Sequence, residues 1–367
     1  DRHTWLNHAA ISPWPRPVIQ AMRAFVEDNA EYGPLHYADW MKVEASLRGH
    51  GADFLAADPD DLALIKNTSE GLSLIAGGLD WQPGDALVCC AGDFPSNVLP
   101  WHQLVPGFVD VREVPFDDAQ PESGLEQALD ERVRLLAVSS VRYDSGVRLD
   151  LDRLGRAAHA AGALLVVDAI QHLGALPLDV STIPVDFVVA GSHKWLLAPE
   201  GLALFWSRPS ARRQLNALQT GWRMWPDMFN FARANWQPPE SARRFEPGTL
   251  NMAGIHGLDA AIELLQSIDA ETRSAQLLKR TEWLIEGLAN IPGARIITPR
   301  DRQRRAGIVC FKPDRLDSGE VLKKLAAHSI FAAKRGPAVR LSPNFYTPKE
   351  QIEKALEAIE SIMKRAA

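Results

Sequence analysis

The chain has 367 residues, 46% of them apolar, with a formal net charge of -6 and a pI near 6.0. That length and apolar share can bury a large core and divide into two domains, while the acidic balance removes the electrostatic case for nucleic acid or an anionic membrane as partner. No stretch approaches the roughly 18 consecutive apolar residues of a membrane span, and the three cysteines show no zinc spacing with histidine and fit a reducing cytoplasm.

The first residues lack the basic-then-apolar pattern of a secretion signal, and the absence of an initiating Met leaves room for residues ahead of them. From about residue 16 to 206, helical and strand patterns alternate, which predicts a parallel sheet covered on both faces. Lys66-Asn-Thr-Ser-Glu-Gly-Leu-Ser-Leu-Ile75 reads as a helix start. There Thr68 and Ser69 offer hydroxyls and free backbone N–H groups to a phosphate, at the positive end of a helix dipole. Strands are predicted over 86–90, 109–114, 135–139, 163–168, 187–190 and 202–206, with a helix over 151–161 capped by Asp150 and stopped by Gly162. Residues 208–250, rich in Trp, Arg and Pro, read as an irregular excursion. From about Ile255 a helix-strand-helix-strand-helix pattern predicts a smaller α+β domain, closed by a helix over 349–365. The division expected is a 1–15 segment lining the site, a large domain over 16–250 and a small one over 251–367. No internal repeat, dinucleotide fingerprint or nucleoside-triphosphate loop is present.

Two residues carry the chemistry. Lys194 follows the apolar run Phe187-Val-Val-Ala190, and Asp168 ends the apolar run Leu164-Leu-Val-Val-Asp168, with Gln171 three residues later. A lysine held among core strands loses hydration, which lowers its pKa and frees an amine to attack carbonyls. An acid and a lysine, each at the end of a buried strand, are what pyridoxal phosphate (PLP) requires: a Schiff-base lysine, and a carboxylate that keeps the pyridine nitrogen protonated. Sheets of this type bind ligands beyond the carboxyl ends of their strands, where Asp168 falls.

Taken together, the Asp168/Gln171 strand end, Ser192-His-Lys194, Phe245-Glu-Pro-Gly-Thr-Leu-Asn251 and the Arg340 segment resemble the class V aminotransferase family of fold-type-I PLP enzymes. The similarity is to the branch of cysteine desulfurases, selenocysteine lyases, carbon–sulfur lyases, kynureninases and isopenicillin-N-epimerase-like proteins. It runs from Leu6-Asn-His-Ala-Ala-Ile-Ser-Pro13 to Val339-Arg-Leu-Ser-Pro-Asn-Phe-Tyr-Thr347, nearly the full chain. The resemblance implies a PLP-dependent transferase fold of type I: α/β, with a mostly parallel sheet, helices on both faces and a smaller C-terminal α+β domain.

Carried over residue by residue, it implies that Lys194 binds the cofactor covalently and Asp168 faces the pyridine nitrogen. Gln171 would meet the phenolic oxygen, and Thr68, Ser69 and His193 would hold the phosphate. Thr249 would reach the phosphate of a partner subunit in a homodimer. Phe94 stands where many relatives stack a His on the ring, and Ser140 where desulfurases often place an Asn. Arg340 would grip the α-carboxylate of an amino-acid substrate, with His36 and Trp222 near the substrate pocket. The activity implied is loss of a sulfur-type substituent from an α-amino acid. Transamination is the nearest alternative, followed by epimerisation, kynureninase-like cleavage and, last, PLP binding without turnover. Persulfide-forming desulfurases carry a cysteine shortly before the position of Arg340, but Ser329-Ile-Phe-Ala-Ala-Lys-Arg-Gly-Pro337 has no thiol. Sulfur handover through an enzyme persulfide is therefore not expected.

Overall fold

The structure, a computed structural model, describes residues 3–225, 227–230, 232, 237 and 239–365. Several positions in the Trp- and Pro-rich stretch over 208–250 lie outside the described residues, Trp236 and Pro238 among them.

The large layer is built on a seven-stranded sheet of order β2-β8-β7-β6-β5-β3-β4. Its strands are β2 (Leu62–Ile65), β3 (Ala86–Cys90), β4 (Asp110–Val114), β5 (Val133–Ser139), β6 (Leu164–Asp168), β7 (Phe187–Gly191) and β8 (Ala203–Ser207). Only β8 runs against its neighbours, β7 and β2, so β2 points the same way as the parallel strands. Every strand but β4 is almost wholly buried, because helices cover both faces. Alternate residues feed two separate cores: Ala86, Val88 and Cys90 of β3 face one, Leu87 and Cys89 the other. Apolar runs with no polar alternation are the sequence trace of that burial.

The local signals resolve as their chemistry dictates. Asp150 caps the helix Leu151–Ala160 by accepting from the N–H of Arg153 at 3.0 Å, and Gly162 adopts φ +79 just beyond it. At the phosphate-loop helix, Thr68–Gly78, the cap is Asn67, whose side chain accepts from Glu70 N–H at 2.9 Å.

The second layer is a four-stranded antiparallel sheet of order β12-β13-β10-β9, made of β9 (Ala294–Ile296), β10 (Val309–Pro313), β12 (Ala333–Arg335) and β13 (Ala338–Leu341). The helices Ala270–Ala289, Ser318–Ala327 and Lys349–Lys364 share its core. The helix Met252–Gln266 instead contributes Met252, Ile255, Leu258 and Ile262 to the core of the large layer. The N-terminal segment pairs through β1 (Thr4–Trp5) with β11 (Ile330–Phe331), then passes between the layers, where Ser12 N–H donates to His193 at 2.9 Å. Among the described residues no helix is long and apolar enough to cross a membrane, and no group of three or more His, Cys, Asp or Glu is placed to hold a metal.

Candidate active site

Asp168 is the last residue of β6, and Lys194 stands three residues past β7, its paired neighbour, so both occupy one edge of the sheet. Asp168 is 2% exposed and Lys194 8%. Burial pulls the Lys194 amine down to about 8; the Asp168 charge opposes this, and the Arg340 and Arg335 charges add to it. Burial likewise pushes the Asp168 carboxyl up to about 7, against the Ile170 N–H that donates to Oδ1 at 3.0 Å.

The turn bearing Lys194 is held from three sides. Ser192 Oγ lies within reach of the Leu202 carbonyl at 2.7 Å and of the Pro199 carbonyl. Leu197 takes φ +59, a strained value for a branched side chain, in the same turn. Trp195 is buried, its indole N–H donating to Gln171 Oε1 at 2.9 Å while Gln171 Nε2 donates to Ala9 O at 3.0 Å. Gly307 lets that indole fit, since a Cβ there would lie 2.3 Å from it.

The start of the helix Thr68–Gly78 lies against this edge. Thr68 Oγ1 accepts from Gly191 N–H at 3.1 Å, and the Ser69 and Ser96 hydroxyls are 2.7 Å apart. Glu70 folds back onto Lys66, accepting from its N–H and pairing with its Nζ at 2.9 Å. His193 is partly buried, which with the Lys194 charge keeps its imidazole below its ordinary pKa.

Phe94 presents its ring 5.6 Å from Lys194 Nζ and meets the edge of Tyr143 at 5.3 Å between centroids. Arg340, on β13, is wholly buried; Nη1 donates to Tyr143 O at 2.9 Å, while Nε and Nη2 have no partner among the described residues. Burial and the Arg335 charge hold its guanidinium at about 9. Ser140 Oγ donates to the Asp168 carbonyl at 3.2 Å, a bond that braces the strand end.

Three expected residues share no described contact with Lys194. His36 Nδ1 lies 2.6 Å from Asp28 Oδ1, and Trp222 is 6.1 Å from Phe229, which in turn faces Tyr37. Thr249 is exposed on the strip Phe245-Glu-Pro-Gly-Thr, beside a cavity of about 210 Å³ that Lys66, Glu70 and Gly201 also line. Glu246 anchors that strip: buried Arg48 donates to both its oxygens, at 2.8 and 3.0 Å, and Leu64 N–H donates at 2.7 Å.

Comparison with known proteins matches residues 4–352 to the family model for class-V aminotransferases. The chain belongs to the class-V aminotransferase family. It is 31% identical to a probable cysteine desulfurase of Methanothermobacter thermautotrophicus, over 98% of this chain and 94% of that one. It is 28% identical to isopenicillin N epimerase of Streptomyces clavuligerus, over 97% and 94% of the two chains. A solved structure of C-DES with glycine covalently linked to its PLP cofactor superposes with a TM-score of 0.90 at 23% identity, covering 98% of this chain and 96% of that one.

A class-V aminotransferase is a PLP enzyme, and the residues present fit the group. A buried carboxyl held up near 7, with one oxygen unbonded among the described residues, is matched by a cationic pyridinium. A buried amine pulled down to about 8 is matched by an aldehyde. Hydroxyls gathered at a helix start suit a phosphate. Sequence reasoning missed Arg335, Tyr143, Ser96 and the buried pair Asp93–Arg142, in which Arg142 Nη1 lies 3.8 Å from Asp93 Oδ1. For Arg335 the signal was present: a two-residue Gly-Pro turn puts residues 335, 338 and 340 on one face of a hairpin.

Proposed function

We propose that this class-V aminotransferase family member is a carbon–sulfur lyase, eliminating a sulfur substituent from an α-amino acid with uptake of one water to give a 2-keto acid, ammonia and a thiol or sulfide. The observation that carries the reading is Arg340, a buried guanidinium with two unpartnered donors whose charge bears on Lys194. A buried cation without a counterion is costly, and a planar carboxylate satisfies both donors at once. Gripping the α-carboxylate there fixes which Cα bond stands perpendicular to the cofactor ring.

When bound, PLP supplies an electron sink for the pair left behind as a Cα bond breaks. Asp168 Oδ2 would hold the pyridine N–H, and Thr68, Ser69, Ser96 and His193 would hold the phosphate. Phe94 would cover the ring face, a stacking role without acid–base capacity. Gln171 has one amide hydrogen left for the phenolic oxygen, after its bond to Ala9. Lys194 Nζ takes the α-proton and returns it to the departing fragment, tasks suited to an amine titrating near 8.

Persulfide handover is not part of the proposal. Cys89, Cys90 and Cys310 are all buried, and burial pushes the thiols of Cys89 and Cys310 up to about 12 and that of Cys90 upward as well. A short hairpin stands in the stretch before Arg340, where the resemblance places the cysteine of persulfide-forming desulfurases. Thr249, exposed and without a described contact to Lys194, fits a role in the partner's site of a homodimer, and three unpaired thiols fit a cytoplasmic protein. The large domain is proposed to extend past the expected boundary at residue 250 to include the helix Met252–Gln266, whose apolar stripe lies in its core.

The test is to incubate the holoenzyme with S-substituted cysteines without any amino acceptor, following keto acid and free thiol together. Equal amounts of both are expected. Keto acid that forms only when an amino acceptor is supplied would identify a transaminase and end the lyase reading.

A further inference from the structure

Strands β12 and β13 pair so that Ala333 faces Arg340 and Arg335 faces Ala338. Residues opposite one another in an antiparallel ladder share a face, and alternate residues along a strand share it too. Arg335 and Arg340 therefore project from one face of the hairpin as diagonal neighbours, roughly 7–8 Å apart at the backbone. The turn between them is Gly336-Pro337, with Gly336 at φ +53, as a two-residue turn with glycine first requires. Proline in second place stiffens it.

Tyr143 ties both arginines to the catalytic end. Its carbonyl accepts from Arg340 Nη1 at 2.9 Å, its ring lies 5.9 Å from Arg335 Cζ, and its edge meets Phe94, which covers Lys194. Arg335 is half-buried, its Nε has no partner, and Nη1 donates to the carbonyl of Lys334 at 2.6 Å. Neither arginine has a carboxylate within ion-pair distance among the described residues; Asp144, the acid whose charge favours the Arg340 cation, pairs with Arg142 at 2.9 Å. Two guanidinium groups side by side without a counterion repel, and the Arg335 charge is one of the influences that holds Arg340 down. One α-carboxylate offsets only one of them.

We infer that Arg335 binds a second carboxylate, and that the preferred substrate is an α-amino acid whose side chain ends in that group. The inference rests on the proposed reading, in which Arg340 holds the α-carboxylate. The side chain then runs from Cα past Phe94 and Tyr143 towards Arg335, and the scissile carbon–sulfur bond lies between two anchored ends. Anchoring both ends restricts rotation about the bonds in between, which favours reaction as well as binding.

The test uses two ligands of equal length and shape that differ in charge, S-carboxymethylcysteine and S-carbamoylmethylcysteine. Their dissociation constants are read from the cofactor absorbance of the holoenzyme, and thiol release is followed separately. The wild-type protein is expected to prefer the carboxylate by roughly tenfold to a hundredfold, as a charge-assisted pair implies. In R335Q the preference collapses to within about twofold, and in R335E it reverses, as like charges face each other across the site. Equal binding of the two ligands by the wild type overturns the role of Arg335 alone. So does an equal loss of both in R335Q with unchanged circular dichroism, because a structural residue would not discriminate by ligand charge. If neither ligand changes the absorbance of the wild-type protein, the amino-acid reading itself falls with it.

Discussion

Burial holds the Lys194 amine near the pH at which it becomes nucleophilic, at about 8 where a free lysine titrates at 10.5. Only the neutral amine attacks an aldehyde, so the rate of PLP uptake by apo-protein should rise with pH and level off above about 8. Two substitutions move that midpoint in opposite directions. Asp168→Asn removes an anion that favours the protonated amine, so the midpoint falls; Arg340→Met removes a cation that disfavours it, so the midpoint rises. Stopped-flow absorbance over pH 6–10 checks both signs, and a common direction for the two would refute the electrostatic account. Arg340→Met carries a second expectation, because the side chain it replaces is a buried cation with two unpaired donors. The apo-protein should become more stable by about 1–2 kcal/mol in urea titration, since apolar replacements of poorly compensated buried charge are commonly stabilising. Substrate affinity should fall about a hundredfold while cofactor colour persists.

At the level of elements, the catalytic turn is only as rigid as the tryptophan behind it. Trp195 holds Gln171 through its indole N–H and fills the space that Gly307 leaves open. Gly307→Ala should cost about 1–3 kcal/mol, the usual range for overpacking, and should weaken PLP binding by displacing Gln171 along with the indole. Urea titration and cofactor titration give the two numbers; a stability loss with unchanged PLP affinity would separate the indole from the site. Elements buried on both faces were the most legible in the sequence: β3 and β7 are continuous apolar runs, as is β6 up to Asp168, because helices cover both sides of them. β2 gives no such signal, since its four residues follow the charged run Asp58-Pro-Asp-Asp61 and are too short to show a period. The boundary set at residue 250 falls just before a helix whose apolar stripe belongs to the first core, and periodicity does not say which core a stripe faces. Lys194 and Asp168 could be read because charges at the ends of apolar strands are rare. Tyr143 could not be read alone, because its meeting with Arg335 joins a loop of one layer to the hairpin of the other.

For the whole molecule, the question is which subunit's site Thr249 serves. The residue is exposed on a strip that Glu246 clamps to Arg48 and to β2, and it shares no described contact with Lys194. A strip clamped in this way is held in place, and in a homodimer a two-fold axis would bring it to the partner's site. Exposed Trp14, Val26 and Leu35 offer apolar surface of the kind a second copy would cover. If the site is shared, lesions in the two halves must complement. Subunits carrying Lys194→Ala and subunits carrying Thr249→Arg should each form homodimers with two defective sites. A hybrid of the two places the intact Lys194 of one chain beside the intact Thr249 of the other, and collects both lesions in the remaining site. Purified by two affinity tags, that hybrid should recover about half of wild-type activity per dimer, with about one cofactor bound tightly per two chains. A Thr249 acting within its own chain leaves both sites of the hybrid damaged, so an inactive hybrid would refute the shared site, as would a monomeric mass by light scattering.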